Sequence, residues 1–319
     1  MDPDLFAADL EAKPRFLREL SELLTGADPW SVLPMGTRFV FVGMGSSHYA
    51  ASIAAARLRA RGVNAVAELA SSDLLPAPDG HTVVIAVSAG GGSRETASAV
   101  QWYAGHCPIV LLTNRLESPL VHAVDAVVPM SAGDEQGGVA CRTFQHTLVM
   151  LLALEARLAS PSLDLPTLVT AAARATSDLL DRRAQWLPEL TGLLVGPDGI
   201  HVVAPARRLS SSQQSSLMLR EGPRIPATAS ETGDWNHVDV YLTKSTDYRL
   251  LLLTGSPWEE ELLKWTNKRG STVVAVGADV PGAAMSLRYE GDDNDDVRLL
   301  TETLVAELLA ASLWRSQSS

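Results

Sequence analysis

Short apolar runs alternate with longer stretches of helical spacing along most of the chain. In the first half Arg38–Val42, Asn64–Leu69, Thr82–Val87, Pro108–Leu112 and Ala126–Met130 read as strands, with helices over Ser47–Arg61, Thr96–Ala104 and Thr143–Leu158. In the second half Gly199–Ala204, Arg249–Thr254 and Thr272–Val276 read as strands, with helices over Ser211–Glu221, Trp258–Arg269 and Asp295–Trp314. Ahead of them, Asp4–Leu24 sets Leu5, Leu10, Phe16, Leu17, Leu20 and Leu24 on one side of an amphipathic helix, with an interruption expected at Pro14. Pro161–Trp186 keeps a helical period and reads as a connector. Runs that are apolar throughout, separated by helices, are the mark of a parallel sheet buried on both faces and crossed over by those helices. The pattern occurs twice. The expectation is an α/β protein of two domains, each a parallel sheet flanked by helices, with a helical segment at 1–30, a first domain at 31–185 and a second at 186–319.

Composition narrows the classes. Of 319 residues, 46% are hydrophobic and 20% charged, as in a globular chain, and the 5% of aromatics speaks against a β-sandwich. The formal net charge of −11 removes the basic face that a nucleic-acid partner requires. The two cysteines, Cys107 and Cys141, have no metal-ligand spacing, so neither a metal nor another cofactor is expected. No run approaches the ~20 apolar residues of a membrane span, and the acidic amphipathic start does not read as a signal peptide. A cytoplasmic location is expected.

Three glycine-rich segments carry the candidate chemistry. Gly43-Met44-Gly45-Ser46-Ser47 links a buried strand to a helix, where free amides can meet an oxygen ligand. With Ala50 and Ala51 where a third glycine would stand, it is no dinucleotide fingerprint, and a plain turn capped by Ser46 or Ser47 explains it equally well. Ser88-Ala89-Gly90-Gly91-Gly92-Ser93-Arg94-Glu95-Thr96 follows the most apolar strand of the first half. Exposed glycine amides, three hydroxyls and a helix start read as a phosphate nest, favoured over a plain surface loop by the strand before and the helix after, and the lack of a lysine separates it from nucleotide-hydrolysing loops. Ala132–Cys141 is glycine-rich and acidic, fit to close over a sugar.

Together these segments resemble the sugar isomerase (SIS) domain, and more closely the isomerase half of glutamine–fructose-6-phosphate aminotransferase, over roughly residues 35 to 315. That family has a Gly-x-Gly-Thr-Ser turn, a Ser-Gln-Ser-Gly-Glu-Thr phosphate loop and an Ala-Gly-x-Glu-x-Gly-Val-Ala-Ser loop on the sugar. The resemblance implies two tandem SIS domains that bind a sugar phosphate through Ser47, Ser88, Gly90, Ser93 and Thr96, with Val139, Ala140 and Cys141 at the sugar. Leu219-Arg220-Glu221 matches the family's Leu-Lys-Glu, which implies Glu221 as catalytic base, and His237, sixteen positions on, falls where the family has its ring-opening histidine. It further implies a homodimer with a shared active site.

The chain also departs from the pattern. The phosphate loop reads three residues longer, Met218 stands in place of a family lysine, and Arg142 has no family counterpart. Ala204-Pro205-Ala206 replaces glycines in the second domain, and Pro205 removes an amide donor, so phosphate binding is expected in the first domain alone. Neither the family's glutaminase domain nor its lysine-bearing tail is expected. The resulting expectation is C2 proton abstraction on a 6-phosphorylated 2-amino or 2-acetamido sugar, first as elimination of the kind run by the SIS-type N-acetylmuramic acid 6-phosphate etherase. Isomerisation or deamination of glucosamine 6-phosphate is the alternative, and a non-catalytic sugar-phosphate sensor the alternative of another class. Whether Glu135 or Arg142 meets the ligand stays open at this point.

Overall fold

Six strands are apolar almost from end to end, and they take the inner places of two parallel sheets. The computed structural model describes residues 1–159 and 162–318; Ser160, Pro161 and Ser319 lie outside the described residues, and with them the first residue of the connector expected from Pro161. The chain runs α1 (Pro3–Gly26), β1 (Arg38–Gly43), α2 (Ser46–Ala60), β2 (Asn64–Leu69), β3 (Thr82–Val87), α3 (Arg94–Tyr103), β4 (Ile109–Thr113), β5 (Ala126–Pro129), α4 (Arg142–Leu158), α5 (Leu165–Asp181) and α6 (Arg183–Leu194). It continues through β6 (Ile200–Ala204), α7 (Leu209–Glu221), β7 (Ala227–Glu231), α8 (Thr232–Trp235), β8 (Arg249–Leu253), α9 (Glu259–Arg269), β9 (Thr272–Val276), β10 (Met285–Leu287), α10 (Asp295–Thr301) and α11 (Thr303–Ser318). The sheet orders are β2-β1-β3-β4-β5 and β10-β9-β8-β6-β7. Read from its own second strand, each has the order 2-1-3-4-5, so each reverses direction between its first and third strands. That switch point opens a crevice at the carboxyl ends of the strands.

Two compact units divide the chain. The first comprises Phe16–Asp134 and Arg142–Val169 and holds the β1–β5 sheet. Its core stacks Val40, Val42, Val84, Ala86 and Leu111 of the sheet against Ala99, Val100 and Tyr103 of α3. The second comprises Met1–Arg15, Glu135–Cys141 and Thr170–Ser319. Its sheet buries Val203, Leu250, Leu252 and Val273 with Trp235, Tyr248 and Leu262. Each such aliphatic side chain contributes about 1.5–3 kcal/mol when fully buried. The expected boundary at 185/186 falls inside the second unit. There Trp186 bonds the Leu179 carbonyl at 3.2 Å and Arg182 bonds that of Arg288 at 2.8 Å.

Four details differ from the sequence expectation. α1 runs through Pro14, which is itself buried; Phe6, Leu10, Leu17 and Leu20 are buried around it, and their packing outweighs the one backbone bond that the proline lacks. β7 and β10 were not legible: both are edge strands, β7 reads Ala-Thr-Ala-Ser-Glu and β10 is only Met-Ser-Leu. The closing helix is two, α10 and α11. Pro161–Trp186 likewise resolves into α5 and α6.

Candidate functional site

In the first unit, β1 and β3 pair with Gly43 opposite Val87, so the two loops that follow these strands start side by side at the switch point. The first leads into α2, whose first turn has no side-chain cap; Ser47 is its second residue, half-buried, with its N–H on the Met44 carbonyl at 3.1 Å. Neither Ser46 nor Ser47 caps; the His48 N–H turns back on the same Met44 carbonyl, which leaves the Ser46 amide at that end.

The second loop is Ser88–Ser93. Ser88 is buried and tied down, its N–H on the Leu112 carbonyl at 3.0 Å and its carbonyl accepting from Gly91 at 3.1 Å. Gly90 is exposed, with open space where a side chain would start. Gly91 has φ +59°, and a Cβ there would collide with the Ser118 hydroxyl, itself buried without a partner among the described residues. Only glycine meets both demands. Ser93 caps α3, its Oγ accepting from the Thr96 N–H at 3.1 Å and from the Thr96 hydroxyl at 3.2 Å. The helix therefore starts at Arg94, and the loop proper has six residues, the same number as the family hexapeptide. The three extra residues expected from the sequence belong to the first turn of α3. Thr96, expected on the phosphate, is 1% exposed, and its N–H and hydroxyl both bond the Ser93 Oγ. Glu95 also occupies this helix start: its own backbone amide, then the Ser93 hydroxyl at 2.9 Å, hold its carboxyl below the usual range.

The third segment begins in the first unit, where Asn114 clamps it. The Asn114 side-chain amide bonds the Gly133 carbonyl at 2.7 Å and its oxygen takes the Ala132 N–H at 2.9 Å. Arg142 is buried, bonds the carbonyls of Ala132 (3.0 Å) and Asp134, and lies 4.5 Å above the Phe16 ring. Its work is to shape this loop.

In the second unit, Glu135 accepts the Cys141 N–H at 2.7 Å, the Ala140 carbonyl accepts from Gln214 of α7 at 2.8 Å, and Val139 is buried. Two of the backbone groups that the family resemblance assigns to the sugar are thus engaged internally. Cys141 is fully buried, and burial pushes its thiol well up, so it stays protonated. Glu221 ends α7 and is half-buried; desolvation first, then the nearby Glu135 carboxylate, raise its carboxyl above the ordinary glutamate value. Met218, one turn before it, is buried. His237 sits on an exposed stretch after α8, and no hydrogen bond or ion pair joins it to Glu221 among the described residues.

The second unit's own switch point, between β6 and β8, is braced by three arginines that sequence reasoning did not single out. Arg208 is 1% exposed and bonds Asp295, Glu302 (3.0 Å) and the Thr254 carbonyl. Arg207 bonds Asp295 and the Gly255 carbonyl at 2.7 Å, and Arg298 bonds the carbonyls of Thr254 (3.1 Å) and Gly277 (2.7 Å). A Cβ at Gly255 would lie 2.9 Å from Arg298 and 3.0 Å from Arg207, so glycine is what admits them. Among the described residues no group of three or more His, Cys, Asp or Glu side chains is placed to hold a metal ion, and no helix is long and apolar enough to cross a membrane.

Residues 36–156 match the SIS domain family. With the two like-ordered sheets and the N-terminal helix, the fold is the tandem SIS α/β arrangement. The chain is 26% identical over 262 residues, 76% of its length, to glutamine–fructose-6-phosphate aminotransferase [isomerizing] of Aeropyrum pernix, and covers 42% of that relative. It superimposes with a TM-score of 0.81 on the C-terminal domain of glucosamine-fructose-6-phosphate aminotransferase from Francisella tularensis (16% identity; 98% of this chain, 96% of that one). Glucosamine-6-phosphate deaminase from Thermotoga maritima superimposes with a TM-score of 0.79 (17% identity; 98% and 95%). At these identities the structural likeness is one of fold. The SIS match spans Ser47, the Ser88–Ser93 loop and Val139–Cys141, and stops before Glu221 and His237. Ser93 could have been found as a cap from its hydroxyl just ahead of Glu95 and Thr96. Nothing local foretells the Glu135–Glu221 neighbourhood, which joins distant segments.

Proposed function

We infer that the protein takes a 6-phosphorylated 2-amino or 2-acetamido sugar and removes its C2 proton with Glu221. The observation that carries this reading is the Glu221 carboxyl itself. Half-buried at the end of a helix and beside a second carboxyl, it holds a proton more tightly than an ordinary glutamate, the direction that suits a general base. The Ser88–Ser93 loop, with Ser47 and the uncapped start of α2, offers the hydroxyls and amides for the phosphate. Once the proton leaves C2, the electron pair moves toward the C1 carbonyl. Expulsion of the C3 hydroxyl then gives an unsaturated sugar, and the departing oxygen leaves as water with the proton that Glu221 took from C2. Elimination, as in dehydration of N-acetylglucosamine 6-phosphate, is accordingly put first. Isomerisation or deamination of glucosamine 6-phosphate is the second reading, favoured by the likeness to the aminotransferase and the deaminase.

His237 enters as the ring-opening group of a neighbouring copy in a homodimer. Its exposure, beside exposed Val238 and a Tyr241 that is 61% exposed, supports this. Light scattering at micromolar concentration should give twice the chain mass; an active monomer would end the dimer reading.

The test is incubation with glucosamine 6-phosphate and N-acetylglucosamine 6-phosphate in D₂O. Loss of the C2 proton signal with an unsaturated product supports elimination, and loss with ketose or ammonia supports the second reading. No exchange with either sugar removes the enzyme reading and leaves a sugar-phosphate sensor.

A further inference from the structure

The first unit has a second concavity, on the flank of α3. Arg94, Ser98 and Trp102 recur every four residues along that helix and so share one face. Opposite them runs the segment after β2, which is tied at both ends. The Ala70 N–H bonds the Gly43 carbonyl at 3.0 Å, and the Pro76 carbonyl accepts from the Tyr103 hydroxyl at 2.8 Å. Between these ties the segment, with α3, lines an open cavity of about 590 Å³. That volume is in the range of small-molecule sites.

The lining is chemically specific. Leu75 closes the floor against the core. The Trp102 indole is 55% exposed, and Ser71, Asp73, Arg94 and Ser98 line the rest. None of these five makes a side-chain hydrogen bond or ion pair with another described residue, whereas Ser72 beside them is spent within the segment on the Leu74 N–H at 3.1 Å. An indole face suits the C–H face of a pyranose ring. A carboxylate accepts from two neighbouring hydroxyls at once, a guanidinium donates to ring or hydroxyl oxygens, and a serine does either. Asp73 and Glu95 against Arg94 leave the lining net negative, which repels a phosphate.

We propose that this cavity is a second carbohydrate site, taking a pyranose without phosphate, separate from the Ser88–Ser93 loop. The site stands on its own geometry and does not depend on the reaction put forward above. Saturation-transfer NMR and calorimetry with glucose, glucosamine and N-acetylglucosamine test it, with glucosamine 6-phosphate as contrast. At least one of the unphosphorylated sugars should bind. W102A and D73N should each weaken that binding by ~10-fold or more, with the response to glucosamine 6-phosphate unchanged in both. Trp102 is exposed and Asp73→Asn is nearly isosteric, so circular dichroism should show both variants folded. Absence of binding by all three sugars at about 10 mM, the weak end of small-ligand affinities, overturns the proposal. So does binding that survives both substitutions. A failure of glucosamine 6-phosphate to bind anywhere would count against the proposed function and leave this result untouched.

Discussion

The carboxyl ends of β1 and β3 and those of β6 and β8 occupy the same place in two sheets of one strand order, and the chain has furnished them in opposite ways. At the first, the loop around Gly90 is open where a side chain would start, and no side chain caps α2. At the second, Arg207, Arg208 and Arg298 reach the strand-end carbonyls, with Asp295 and Glu302 as counter-charges. A crevice between diverging helices has carbonyl and amide ends to satisfy whether or not a ligand comes. One unit leaves part of that work undone by its own side chains, where the phosphate is proposed to sit, and the other does it with arginines. The unit that braces its crevice is also the one that carries Glu221.

The comparison is broken or sharpened by substitution, the largest effect first. Glu221→Gln should cost ~10²–10⁴-fold in turnover while sugar-phosphate affinity by calorimetry stays, because the base is lost and the Ser88–Ser93 loop untouched. Normal turnover would take chemistry away from the second unit. Arg208→Leu leaves Glu302 buried with an uncompensated charge and should cost about 3–5 kcal/mol in urea unfolding. Adding Glu302→Leu should return much of it, and equal stability of the two variants would show that the network braces nothing. Gly91→Ala puts a Cβ against Ser118 at positive φ, a strain of about 1–3 kcal/mol. It should weaken sugar-phosphate binding about tenfold, whereas the Arg208 variant should bind normally where it is folded. Ser93→Ala removes the α3 cap and should cost ~1 kcal/mol of stability.

The smallest effect is a pH dependence. The folded Glu221 carboxyl binds its proton more tightly than the unfolded one, so charging it favours unfolding. Stability from this group is complete below the ordinary glutamate value and declines as pH rises through the raised folded one. Glu221→Gln should therefore match the wild type in Tm near pH 4 and exceed it at pH 8. A difference of the opposite sign would mean that Glu221 is better solvated than its position indicates.

The inner strands were legible because a strand buried on both faces must be apolar throughout, as in Thr82–Val87 and Thr272–Val276, whose limits came out unchanged. β7 and β10 escaped because an edge strand meets water and Ala-Thr-Ala-Ser-Glu satisfies it as well as a loop would. The Ser88–Ser93 loop showed itself by composition, since a backbone nest needs glycines in sequence. Its length did not, because Ser93 reads as a ligand hydroxyl until the helix start is seen. Arg208, Asp295 and Glu302 meet over a separation of 94 residues. Glu135 and Glu221 meet in the same way, and no local pattern encodes such pairs.

The threading of the chain has a consequence for synthesis. Met1–Arg15 belongs to the second unit, where Lys13 is ion-paired with Glu307, Asp4 with Arg315, and Phe6 rests 6.1 Å from the Trp314 ring. Lys13 and Glu307 stand 294 residues apart. At ribosomal rates of ~5–20 residues per second, the start of the chain waits roughly 15–60 s for that partner to be made. The first unit lacks only the stretch to Val169 and can close in the meantime. Met1–Arg15, made before the first unit, is thus among the last stretches to be placed, and until then Phe6 and Leu10 are apolar surface for a chaperone to cover.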